Sequence, residues 1–306
     1  MSKNPFEKPI KREEPPIKEM EKKLDKAEKI VEGVEERWKD KIEEFEMVEK
    51  SVKELKKLWE ESEEEAIKKK GRNEFFSFFS SLAFPEISSS LLEKVSNKFL
   101  KEFDWKKFEE REYLGADLGF FLSAFLKKSI ENCILPQEKK GINKEGNIKP
   151  IDVRLNIKKL PVRLDYLGYQ NPKKLHLIVE GNCGWGTGYE TRGGKVIIEG
   201  NCGDLTGAII EDGKIIVKGN CGDWTGYKMK GGEVIVEGDC EYWTGSEMRG
   251  GKLIVKGKVK TFDESTFFWN QGIIIVRKSK IWKKGNWTRE GREMLKRNEI
   301  SVERGC

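Results

Sequence analysis

Four cysteines recur at intervals of nineteen residues, at Cys183, Cys202, Cys221 and Cys240. Regularly spaced thiolates are candidate metal ligands or redox groups. However, four sulfurs on one line cannot surround a metal tetrahedrally. Strands in register also hold equivalent side chains about 4.8 Å apart, farther than the roughly 3.8 Å between the Cβ atoms of a disulfide. We therefore predict a structural column of buried, free cysteines that binds no metal or other cofactor.

Other residues with chemical potential are sparse. His176 is the only histidine, and no Ser–His–Asp set, phosphate loop or Cys-x-x-Cys motif can be assembled around it. Trp224 and Trp243 occupy one repeat position and could grip a sugar or a base, but packing is the favoured interpretation. Asp204 and Asp223 also share a position and are predicted to be turn residues. The sequence thus predicts no catalytic, cofactor-binding or metal-binding residue, and no activity of the chain's own.

The cysteines belong to four copies of one nineteen-residue unit. The copies are HLIVEGNCGWGTGYETRGG from His176, KVIIEGNCGDLTGAIIEDG from Lys195, KIIVKGNCGDWTGYKMKGG from Lys214 and EVIVEGDCEYWTGSEMRGG from Glu233. A short repeat with one β-branched run and glycine corners is typical of a solenoid whose coils stack parallel strands. One glycine of each copy is predicted to form a turn, and these turn glycines are Gly188, Gly207, Gly226 and Gly245.

Alternation along each β-branched run assigns its two faces. Val196 and Ile198, with their equivalents in other copies, are predicted to fill the interior. The intervening isoleucines must then point outward and form what we call the isoleucine stripe: Ile178, Ile197, Ile216, Ile235 and Ile254. We predict that this stripe is a contact surface, covered by the chain's own helices or by another protein. Beside it, Glu199, Lys218, Glu237 and Lys256 alternate in sign, which suits stacked strands.

The clearest copy, GNCGDWTGYKMKGGEVIVEG from Gly219 to Gly238, resembles the GXGXG β-helix domain. That domain closes the large subunit of glutamate synthase and forms much of one subunit of formylmethanofuran dehydrogenase. The resemblance covers about residues 175–278. It implies a right-handed parallel β-helix with an architectural role, and it raises the alternative that this chain is a non-catalytic subunit of a multi-subunit redox enzyme. Nothing in the chain resembles the catalytic parts of those enzymes.

The N-terminal third carries a different pattern. Apolar residues step by three and four over more than six heptads, which predicts a long helix that forms a coiled coil. The members of this heptad seam are Met20, Leu24, Ala27, Val31, Val34, Trp38, Lys41, Phe45, Val48, Val52, Leu55, Trp59, Ser62 and Ala66. A protein partner or a second copy is the expected binding partner. A helix folded onto the rest of the chain, or a plain solvated helix, is the alternative.

Two aromatic segments lie between this helix and the repeats. They are FFSFFSSLAF at 75–84 and LGADLGFFLSAFLKK from Leu114. Each is shorter than the roughly twenty residues of a membrane span, so burial is the favoured explanation. We expect residues 114–130 to pack on the isoleucine stripe. Insertion of the phenylalanines at a membrane surface remains the alternative.

Composition limits the possible functions. The 306 residues include 59 basic and 53 acidic ones, a net charge of +6, and because both signs are spread through the same segments, the charge does not favour nucleic-acid binding. Lys and Glu dominate and glutamine occurs only three times, a bias found in thermophiles. The charged, proline-broken start shows no signal-peptide pattern, and the cysteines suggest no disulfide framework, so a cytoplasmic protein is expected.

Together these patterns predict a mainly β solenoid, a right-handed β-helix, preceded by a helical region. The expected segments are a disordered lead (1–16), a long helix or coiled coil (17–70), an aromatic-rich helical region (71–150), the β-helix (151–285) and a C-terminal cap (286–306). The predicted function is non-catalytic assembly, with the β-helix as scaffold and the helix as the site of association. A redox-complex subunit and a membrane-surface or filament-forming protein are the alternatives.

Overall fold

A computed structural model describes residues 17–69, 72–108, 113–139, 149–268 and 270–303. The predicted disordered lead, 1–16, lies outside the described residues. The chain divides into two compact units, Met1–Val48 and Glu49–Cys306. The second unit contains most of the helices and the whole β-solenoid.

Helix α1, Ile17–Ile67, is the longest element, with 51 residues. Its heptad seam is interrupted only by Lys41 and by small polar residues, so one apolar face runs along the whole helix. Within the second unit this face is buried at Val52, Leu55 and Trp59. The N-terminal helical region is therefore confirmed, whereas pairing as a coiled coil stays a prediction.

Three further helices build an aromatic core around Trp59. They are α2 (Arg72–Ser81), α3 (Ser89–Glu102) and α4 (Leu114–Lys139). The indole of Trp59 lies 5.3 to 6.3 Å, centroid to centroid, from four rings: Phe79, Phe103, Phe108 and Phe121. Most of these contacts are edge-to-face, the arrangement that aromatic pairs prefer. The aromatic segments are thus buried mainly against one another.

The repeats form a β-solenoid, as the sequence predicts. Its parallel strands are β1 (Ile151–Asn156), β2 (Leu175–Glu180), β3 (Arg192–Ile198), β4 (Asp212–Val217), β5 (Glu233–Val236), β6 (Lys252–Val255) and β8 (Ile273–Val276). Each strand pairs with the next coil in register, mostly nineteen residues on, as Ile215 does with Val234. The inward residues are completely buried and the intervening ones half-buried, so the predicted assignment of the two faces is confirmed.

Helix α3 covers the free edge of β1. The side chain of Asn97 donates to the carbonyl of Arg154 at 2.6 Å and accepts from the N–H of Asn156 at 2.8 Å. Glu93 accepts from the N–H of Arg154 at 2.9 Å. These side chains take the place of a neighbouring strand, so the first coil does not expose an unpaired edge.

A change of strand direction ends the stack at its other side. Strand β9 (Ser279–Lys283) pairs antiparallel with β8, and β10 (Asn286–Trp287) pairs antiparallel with β9. Helix α6, Arg289–Lys296, then packs on β9. Two short strands, β7 (Phe262–Asp263) and β11 (Val302–Glu303), form a second sheet beside helix α5, Ser265–Phe268. The C-terminal residues therefore cap the solenoid.

Helix α4 docks on a corner of the first coil, and its predicted position was wrong. Gly115 and Gly119 face the backbone of residues 163–165, and the hydroxyl of Ser123 bonds to the carbonyl of Tyr166 and the N–H of Gly168. Within the described part of the chain, α4 makes no extensive contact with any strand. The expectation that residues 114–130 cover the isoleucine stripe is thereby corrected, because the glycine face of α4 fits a corner more closely than a row of isoleucines.

None of the helices that the structure describes is long and apolar enough to cross a membrane.

The glycine face of α4 gives a test of this docking. A Cβ atom at Gly119 would overlap the carbonyl oxygen of Asp165, so Gly119→Ala should lower the free energy of unfolding by about 3 kcal/mol or more. Gly33 is also helical and has no atom within 4 Å of its Cβ position. Gly33→Ala should therefore stabilise by about 0.5–1 kcal/mol. Chemical denaturation measures both, and an equal effect of the two substitutions would contradict the close approach.

Candidate functional site

The cysteine column lies inside the solenoid, at the first corner after each strand. Cys183, Cys202, Cys221 and Cys240 are buried and free, and Cys221 forms a parallel bridge with Cys240. Hydrogen bonding with Cys202, together with burial, raises the pKa of Cys183 well above its usual value. Burial does the same for the pKa values of Cys202 and Cys221. These three thiols are therefore protonated at neutral pH, whereas metal ligation and nucleophilic attack need the thiolate.

Metal-ligand geometry is not found in the described residues. No group of three or more His, Cys, Asp or Glu side chains within them is arranged to hold an ion. His176 lies on β2 with its Nδ1 3.0 Å from Oδ1 of Asp152 on the neighbouring strand. This pair is exposed, and the imidazole has the environment of a surface residue.

An asparagine ladder, which the sequence analysis did not predict, runs beside the cysteines. The side-chain oxygens of Asn182, Asn201 and Asn220 each accept from the N–H of the equivalent residue in the next coil at 2.8 Å. Asp239 continues the ladder to the N–H of Lys258 at 2.6 Å. The signal was present, because every copy has Asn or Asp before its cysteine. This ladder fixes the spacing of the coils at that corner.

The shared aspartates do similar work one turn later. Asp204 accepts from the N–H of Asp223 at 2.9 Å, and Asp223 accepts from the N–H of Tyr242 at 3.0 Å. In the first coil Asp165 accepts from the N–H of Trp185 at 2.8 Å, and burial raises the pKa of its carboxyl. The aspartates thus lie in turns, as the sequence predicts, and bond between coils rather than within one.

The turn glycines adopt a backbone conformation that favours glycine. Gly188, Gly207, Gly226 and Gly245 have φ between 65° and 71°. They also face the packed interior: a Cβ atom at Gly188 would lie 2.5 Å from Cδ1 of Ile215, and one at Gly207 would lie 2.8 Å from Cγ2 of Val234. Conformation and space both require glycine here.

Two residues before each turn glycine, the chain again takes the left-handed conformation, now mostly with large side chains. Leu205, Trp224 and Trp243 have φ of 57°, 52° and 53°, whereas Gly186 fills the same place with φ of 61°. A left-handed conformation costs a non-glycine residue on the order of 1 kcal/mol. The indoles of Trp224 and Trp243 stack with centroids 4.9 Å apart and planes 25° apart.

The isoleucine stripe is half-buried along its whole length and extends to Ile275 on β8. Ion pairs between coils flank it on both sides. Glu233 pairs with Lys214 at 2.5 Å and with Lys252 at 2.8 Å. On the other side, Glu199 pairs with Lys218 and Glu237 pairs with Lys256. Their aliphatic stems shield part of the stripe, which stays a predicted contact surface.

The first half of α1 exposes the largest apolar surface of the molecule's described helices. Six side chains between positions 30 and 45 are 38–62% exposed: Ile30, Val31, Val34, Trp38, Ile42 and Phe45. Four of them belong to the heptad seam whose later members are buried in the second unit. A contiguous exposed apolar face of this size marks a binding surface.

Comparison with family models, curated proteins and solved structures finds no match to this chain. The resemblance of its repeats to the GXGXG domain therefore stays a prediction, and function must be argued from the chain's own residues.

Reactivity and pH test the cysteine column. In a background with Cys133→Ser and Cys306→Ser, we expect the four column thiols to resist a disulfide reagent at pH 8 until the protein is unfolded. Above pH 9.0, the usual thiol pKa, the unfolded state loses thiol protons that the native state keeps, so stability falls with rising pH. The slope is up to about 1.4 kcal/mol per pH unit for each thiol. Cys202→Ala should reduce it, and rapid labelling of the native protein would contradict burial.

Adjacent positions on β4 test the two faces of the sheet. Ile215→Lys places a charge in the interior and should cost several kcal/mol or prevent folding. Ile216→Lys points outward and should cost about 1 kcal/mol or less. The double variant Ile216→Lys/Ile235→Lys should keep its melting temperature but lose any association that uses the isoleucine stripe. Equal destabilisation at positions 215 and 216 would refute the register.

Proposed function

We propose that this protein is a non-catalytic assembly protein, in which the first half of α1 pairs with a second copy of the chain as a coiled coil. The observation that carries the proposal is the exposure of the heptad seam between Val31 and Phe45. Apolar residues in the a and d positions of a heptad are buried when two helices supercoil around each other. Self-association would give this face the burial that Val52, Leu55 and Trp59 receive within the chain.

The solenoid has the properties of a scaffold. Its thiols are buried, its polar side chains bond between coils, and helices or hairpins cover both ends. We propose that it is a right-handed β-helix of the GXGXG type, with the architectural role that the resemblance implies. Free thiols are typical of a reducing compartment, which supports a cytoplasmic location.

Substitutions on one face of α1 test the proposal. Trp38→Gln/Phe45→Gln keeps good helix formers but removes the largest apolar groups of the exposed face. We expect the parent to have about twice the chain mass of 35.3 kDa in sedimentation equilibrium, and the double variant to approach the single-chain mass. Circular dichroism should remain unchanged, because these side chains are exposed.

The matched control is Lys39→Gln/Glu43→Gln, which changes exposed residues outside the seam on the same turns of α1. It should leave the mass of the parent unchanged. A parent that sediments as a single chain at every concentration would overturn self-association. Loss of mass in both double variants would indicate a general charge effect rather than a coiled coil.

A further inference from the structure

The last regular corner of the solenoid opens into a groove of about 820 Å³, which we call the aromatic groove. Its walls include Trp224, Tyr227, Trp243, Glu247, Glu264 and Phe268. Phe268, at the end of α5, is 69% exposed, and Trp224 is 37% exposed. The volume is within the range of pockets that hold small ligands.

Folding does not account for the two indoles of the groove. Trp224 and Trp243 occupy left-handed positions, and in an earlier coil Gly186 forms the same corner without a side chain. Glycine would adopt this conformation at lower cost. Strained positions with large, partly exposed side chains are concentrated at ligand sites. The tryptophans therefore provide a surface that the corner itself does not need.

The first coil shows how a side chain of this corner position is covered. There Tyr166 has the same left-handed conformation, with φ of 53°. The ring of Phe120 from α4 stacks on it, with centroids 4.5 Å apart and planes 11° apart. The aromatic side chains of this column thus present surfaces that a flat or rounded apolar group can contact.

Charge selects among the possible ligands. Among the described residues that line the groove, three are carboxylates and none is Lys or Arg. One carboxylate, Glu247, is fixed by the hydroxyl of Tyr227 at 3.0 Å and by Lys228 at 3.4 Å. Aromatic faces carry negative electrostatic potential, as do carboxylates, so both attract cations and repel anions.

We propose that the aromatic groove binds a small organic cation of the quaternary ammonium class. Such a cation is rounded, weakly hydrated and without hydrogen-bond donors, and it binds where aromatic rings surround it. The rings would contact its methyl groups, and the carboxylates would supply the balancing charge. This binding site is independent of the assembly face on α1.

Calorimetric titration of the full chain with choline chloride tests the proposal. We expect saturable binding, and binding of 3,3-dimethylbutan-1-ol, which has the same shape without the charge, to be weaker by about tenfold or more. Trp224→Gly/Trp243→Gly should weaken choline binding by at least tenfold while the protein stays folded, because glycine already occupies this corner at Gly186. Glu247→Gln should weaken binding severalfold.

Trp185→Ala is the matched control, because it removes an exposed indole that is not among the groove's lining residues. It should leave choline affinity unchanged. Equal affinity for choline and its neutral analogue, or no binding of choline, would overturn the proposal. Saturable binding of an uncharged oligosaccharide in place of choline would assign the groove to carbohydrate instead. Retention on phosphatidylcholine vesicles without binding of free choline would indicate a lipid surface, and would also reject the small-ligand site.

Discussion

In-register stacking of parallel strands at a nineteen-residue period is the constraint on which the solenoid depends. Because each coil lies directly on the previous one, a residue that suits one coil must suit its neighbours at the same position. Interior aliphatic residues, asparagines, cysteines and turn glycines therefore occur as columns. The asparagine ladder shows the mechanism most directly, since each amide oxygen is satisfied only if the next coil brings an N–H to the same place.

Such a stack leaves two open ends, and the chain closes them by different means. At the first coil, side chains of α3 replace a strand and α4 packs on a corner. At the last coil, β9 reverses the strand direction and α6 covers it. Ends closed in this way oppose indefinite edge-to-edge growth. Association is thereby directed away from the strand edges, toward side-chain surfaces such as the exposed face of α1.

The sequence predicted those features that repetition makes visible. The period, the inward and outward residues and the turn glycines all follow from comparing four copies, because stacked coils impose the same demand at each. Features that occur once could not be found this way. The docking of α4 depends on the fit of Gly119 against the backbone at Asp165, contacts that a hydrophobic pattern does not encode. The aromatic groove depends on α5, which replaces the regular corner after Trp243. The asparagine ladder was visible in the copies but was overlooked beside the cysteines.

The alternating charges on the outer face set a rule for how this solenoid can change length. Adding or removing one coil of nineteen residues would keep every interior column intact. It would also bring Glu199 beside Glu237, or Lys218 beside Lys256, where like charges on neighbouring strands repel. Two coils together restore the alternation. For a surface patterned in this way, the neutral step in evolution or engineering is a duplication of about 38 residues, twice the repeat, so parity as well as period is inherited.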